Sequence, residues 1–141
     1  MTTVVWKFPH MAADSACTND ERIEHDVAKI FRVNGSLVGC CGAYADIVKF
    51  KKWLKEGADP DEHPSIIEGF DALVVRPNGE VRCYDGYMVL PIKPLAKYLA
   101  IGAGADVALG ALYAGASATK AIRASCAHNV MTRPPVRTYR L

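Results

Sequence analysis

Two turn signals constrain this chain more than any other feature. Asn34-Gly35 separates an apolar run at 26–33 from another at 36–40, and Pro77-Asn78-Gly79 separates 70–76 from 80–84. Turns this short join antiparallel strands, because parallel strands need a crossover of about a dozen residues or more. Between the two hairpins, Ile47, Phe50 and Leu54 fall on one stripe of a helix at 43–56, and Gly57 offers its stop. Ahead of them, 2–8 reads as a strand with Thr2, Val4, Trp6 and Phe8 on one face. Pro9 interrupts it, and 10–14 returns as a short partner strand. The stretches 15–24 and 58–69 read as loops. Short strands are expected at 86–92 and 95–101, two Ala-rich helices at 105–115 and 117–129, and an edge-closing strand at 136–141. That order predicts an α+β fold with antiparallel sheets rather than βαβ units.

Composition narrows the function classes. With 141 residues the chain has room for one domain, spanning 2–141, and 50% hydrophobic content supplies a core. Seventeen basic against fifteen acidic residues leave a net charge of +2, which argues against a nucleic-acid partner. Cysteines 17, 40, 41, 83 and 126 form no CxxC pair, and read as reduced thiols in a core. Histidines 10, 25, 63 and 128 lack ligand spacing, so neither a metal nor an organic cofactor is expected. Between Lys97 and Lys120 the only charge is Asp106, a span long enough for a bilayer. Its Ala and Gly content makes membrane transfer weak, and the amino terminus lacks the pattern of a signal peptide. A cytoplasmic protein with no membrane partner is the expectation.

Three local features carry chemistry. By strand alternation Lys29 shares an apolar face with Val27, Phe31 and Val33, where an ammonium is costly unless paired. Asp14, ending a short hydrophobic strand, is the candidate partner. Gly102-Ala103-Gly104 precedes a helix but lacks the third glycine of a dinucleotide loop, since position 107 is Val107. It reads instead as a tight turn whose backbone approaches something closely. Finally, removal of Met1 would leave Thr2 with a free α-amine of pKa about 7.7–8.0, able to act as base for its own hydroxyl.

The sequence resembles the proteasome β-subunit family and its bacterial relative, the HslV peptidase. The resemblance runs through Thr2-Thr3-Val4-Val5, Ala12-Ala13-Asp14-Ser15, Val27-Ala28-Lys29-Ile30 and Leu37 to Asp46, then Pro77 to Val81 and Ala100 to Gly104. It implies a four-layer αββα sandwich of the Ntn-hydrolase type, shortened by loss of one helix, and a ring of identical subunits. It also implies a threonine peptidase acting on peptides or unfolded proteins, and leaves room for an ATP-dependent unfoldase. In that pattern Thr2 matches the nucleophile, Asp14 and Lys29 the residues that orient and activate it, and Gly42 the oxyanion-hole N–H. The chain departs from the family at Ala103, where a serine is usual, and around Ala127-His128-Asn129, where an acid is usual. The family's second helix has no counterpart in 58–69. Without the serine, proton transfer is expected to rely on water alone or on a neighbour such as Ser15 or His128. A ring-forming subunit without catalysis is the alternative.

Overall fold

The computed structural model describes residues 2–19, 22–66, 69–86, 89–90 and 97–141. One antiparallel sheet holds β1 (Thr3–Lys7), β2 (His10–Ala13), β10 (Tyr98–Gly102) and β11 (Arg137–Arg140), in the order β10-β1-β2-β11. A second holds β5 (Ile30–Val33), β6 (Ser36–Cys41), β7 (Asp71–Val75), β8 (Val81–Asp85) and β9 (Val89–Leu90), in sequence order. The two sheets face each other. Val4, Trp6 and Met11 from the first pack against Ile30, Leu37, Leu73 and Val75 from the second.

Alternation sends the other side chains outward, under helices. Val5 and Ala12 lie beneath α2 (Ala105–Tyr113) and α3 (Ala118–His128), against Ala108, Leu112, Ala121 and Ile122. Phe31, Val38 and Val74 lie beneath α1 (Tyr44–Lys55), against Ile47, Phe50 and Trp53. The result is a four-layer αββα sandwich with three α-helices among the described residues. Where a second helix might cover the larger sheet, a loop with a 3₁₀ turn at Pro60–Glu62 folds back on α1. Trp53 Nε1 donates to the Asp59 carbonyl at 2.8 Å, and the Trp53 and His63 rings sit 5.0 Å apart. Phe50 completes the cover, with Phe70 and Tyr84 ring centroids at 5.2 and 5.1 Å.

Three local expectations are corrected. The stretch 15–24 is not all loop: β3 (Ala16–Asn19) pairs with β4 (Arg22–Asp26) as a two-stranded ribbon, with a bulge between Cys17 and Thr18. The sequence of 16–26 carries no sustained apolar alternation that would announce this ribbon. The run 26–33 is not one strand, since β4 ends at Asp26 and β5 begins at Ile30. Phe8 leaves the face shared by Val4 and Trp6; it lies beyond the end of β1 and is exposed. Most of the strand expected at 86–92 and the start of that at 95–101 lie outside the described residues.

Candidate active site

Thr2 is buried immediately before β1, and the turn Gly102-Ala103-Gly104 wraps around it. The Ala103 N–H donates to the Thr2 carbonyl at 2.8 Å, and the Gly104 N–H donates to Thr3 Oγ1 at 2.9 Å. Gly102 has φ +93°, and a Cβ there would overlap the Thr2 carbonyl oxygen. Only glycine meets both demands. The turn's own carbonyls are held from α3 and the chain just beyond it: Ser125 Oγ donates to the Gly104 carbonyl at 2.9 Å, and Asn129 Nδ2 to the Ala103 carbonyl at 2.9 Å.

Asp14, immediately after β2, organises the other side. Its Oδ1 accepts the Thr3 N–H at 2.9 Å. Its Oδ2 accepts the N–H groups of Ala16 at 3.1 Å and Arg133 at 3.2 Å. Lys29 Nζ reaches the same carboxylate at 3.3 and 3.4 Å. This is an ion pair withdrawn from water, with side chains 3% and 0% exposed. Burial lowers the Lys29 pKa below its usual value, and the Asp14 charge and hydrogen bond oppose that fall without cancelling it. The sequence-based reason for burying Lys29 was wrong in detail. Lys29 lies in the link between β4 and β5, outside any strand, and its carbonyl accepts the Cys40 N–H at 2.9 Å. Its ammonium is buried because Asp14 is there to receive it.

Thr2, Lys29 and Gly42 line one cleft of about 350 Å³, together with Cys17, Tyr44 and Ile47. Gly42 has φ +123°, and a Cβ on it would press on the Phe70 Cα at 3.0 Å. The four residues singled out in the sequence therefore meet: three line the cleft, and Asp14 ties Lys29 to the backbone next to Thr2. Ser15 and His128 do not join them. Ser15 Oγ donates to the Pro135 carbonyl at 2.7 Å, and His128 is exposed. Sequence reasoning missed Arg133 and Cys17. Arg133 contributes only a backbone N–H, which leaves no side-chain signature, and Cys17 lay in an apparent loop. Asn129 stands within the segment where the family's acid is absent, and clamps the Ala103 carbonyl.

The two buried cysteines of β6 are poor nucleophiles. Cys41 Sγ donates to the Thr2 carbonyl at 3.7 Å, and burial pushes its thiol far above the usual range. Burial does the same to Cys40. A thiolate is the reactive form, so neither thiol is activated. Among the described residues, no group of three or more His, Cys, Asp or Glu side chains could hold a metal ion, and no helix is long and apolar enough to cross a membrane.

No protein-family model and no curated protein matches the sequence. Solved structures do match, over nearly the whole chain. HslV from Trypanosoma brucei superposes with a TM-score of 0.74 at 20% identity, covering 98% of this chain and 97% of its own. Thiobacillus denitrificans BPH in complex with epoxomicin gives 0.68 at 20% identity, covering 99% and 97%. BPH alone gives 0.68 at 19%, covering 99% and 96%. The chain has the mixed α/β sandwich fold of these HslV- and proteasome-like proteins.

Proposed function

We propose that the chain is an amino-terminal threonine amide hydrolase, a peptidase working within a homo-oligomeric ring. The observation that carries this reading is Thr2 opening on a cleft shared with Lys29, whose buried ammonium is held by Asp14. The reading requires that Met1 be removed. Thr2 Oγ then attacks the substrate carbonyl carbon, and its proton passes to the Thr2 amine, directly or through a water. The amine returns that proton to the leaving nitrogen as the C–N bond breaks, and an ester to Thr2 Oγ remains. Water activated by the same amine hydrolyses the ester. The Lys29 charge favours the alkoxide character developing on Oγ, and the Gly42 N–H receives the oxyanion. Asp14 serves as a positioning residue, because it binds the Thr3 N–H and Lys29 at once. No step needs a metal or an organic cofactor.

Ala103 favours the second reading, a ring-forming subunit without catalysis. A methyl group cannot relay a proton at the Thr2 amine as the family's serine hydroxyl would. One experiment separates the two readings. Intact mass should show Met1 absent from the native protein, which should cleave small peptide amides, and Thr2→Ala should abolish cleavage without unfolding it. Ala103→Ser should raise turnover about tenfold, the equivalent of about 1.4 kcal/mol. Retained Met1, or hydrolysis that survives Thr2→Ala, overturns the threonine mechanism.

A further inference from the structure

We propose, resting on the peptidase reading above, that the Thr2 cleft continues along α1 into a lysine-rimmed groove that selects peptides with acidic side chains three to five residues beyond the residue seated at Tyr44. A second cleft of about 350 Å³ adjoins the first, and Tyr44 and Ile47 line both. The two form one trough, with the Tyr44 side chain between its halves. Tyr44 and Val48 are 53% and 51% exposed there, which is more apolar surface than a solvated helix face needs to show. Phe31 lies at the groove's base, with Lys51 Nζ 4.8 Å from its ring centroid.

The groove's edge carries one sign of charge. Lys51, Lys52 and Lys55 line it, and no acidic residue does. Among the described residues neither Lys51 nor Lys55 forms an ion pair, and the Lys52 contact with Glu56 is long, at 3.8 Å, and exposed. Asp46, the acid within α1, is buried and turned to Lys49 at 3.3 Å. Among the described residues Lys51 and Lys55 have no acidic partner and Lys52 has only the exposed contact with Glu56, so the complementary occupant carries carboxylates. Spacing sets where those carboxylates fall. A helix rises about 1.5 Å per residue, which places Lys51 and Lys55 about 10 and 16 Å beyond Tyr44. An extended peptide covers about 3.3 Å per residue, so a chain running along α1 meets them roughly three and five residues beyond the residue seated at Tyr44.

The test uses paired peptides that differ only by Glu or Gln at those positions. At 0.01 M salt the Glu peptide should show a kcat/KM about tenfold higher. The ratio should approach one at 1 M salt, because the screening length falls from about 30 to about 3 Å. Lys51→Gln should lower the ratio part of the way. A chain carrying Lys51→Glu, Lys52→Glu and Lys55→Glu should invert it, and favour a Lys peptide instead. Equal rates for the Glu and Gln peptides, or a ratio untouched by these substitutions, overturn the groove. If no peptide is cleaved, the peptidase reading fails by itself, and fluorescence anisotropy of the same labelled peptides decides the groove. Tighter binding of Glu over Gln by about tenfold supports it, and equal binding overturns it.

Discussion

Asp14 accepts three backbone N–H groups and the Lys29 ammonium, so its carboxylate is saturated by partners that come from four separate segments. Lys29 is the member of the pair whose protonation burial disfavours. Because the unfolded chain holds that proton more tightly, stability rises with pH between the lowered Lys29 pKa and the ordinary lysine value of 10.5. Activity follows a different course. The Thr2 amine must be neutral to act as base, and Lys29 must be charged to assist. We expect kcat/KM to rise through about pH 8 and to fall through the lowered Lys29 pKa. A pH–rate profile of Lys29→Arg, which stays charged, should retain the rising limb and move the falling limb upward. A falling limb that does not move would show that Lys29 does not set it.

At the scale of elements, the turn between β10 and α2 seats the start of β1. Gly102→Ala is expected to lower stability by about 2 kcal/mol or more, and Tm by roughly 5–10 °C. Gly79→Ala is the control. Gly79 also has positive φ, at +85°, but a Cβ there meets nothing within 4 Å. It should show the backbone penalty without the clash against Thr2, and equal Tm losses in the two variants would dismiss the seating role. Much of this scale was legible in advance. The stripe through Ile47 and Phe50, the stop at Gly57 and the edge strand at the carboxyl terminus are periodic or local signals, and tertiary packing did not override them. The ribbon of β3 and β4 was not legible, because the sequence of 16–26 shows no sustained alternation to announce it. Lys29 and Asp14 could be paired from their types and neighbours and Thr2 and Gly42 were singled out through the resemblance, whereas the hydrogen bond from the Arg133 N–H left no trace in the sequence. The position of Lys29 was right for the wrong reason: it owes its burial to Asp14 and not to strand alternation.

At the scale of the molecule, α1 and a folded-back loop are the described cover over the larger sheet. Tyr113 is 86% exposed at the end of α2, and Val130 is 75% exposed beyond α3. Apolar groups this exposed on a small protein are expected to be covered by association. A homo-oligomeric ring, with α1 and the 58–66 loop near the subunit contacts, is the assembly we expect. Light scattering at micromolar concentration checks this, and a monomer would exclude it.

The tie between Asp14 and Arg133 has a consequence in time. The two residues are 119 positions apart, and β11, beyond Arg133, forms the edge of the sheet against β2. At roughly 5–20 residues per second, a ribosome needs about 6 to 24 s to travel from one to the other. Through most of that interval the turn that seats the start of β1 is not yet made, and through all of it Asp14 lacks one of its donors. A nascent chain therefore carries its threonine early and its machinery late. On the peptidase reading proposed above, a young polypeptide of this sequence would be protected from that chemistry, and from exercising it on its neighbours, by the order in which it is made.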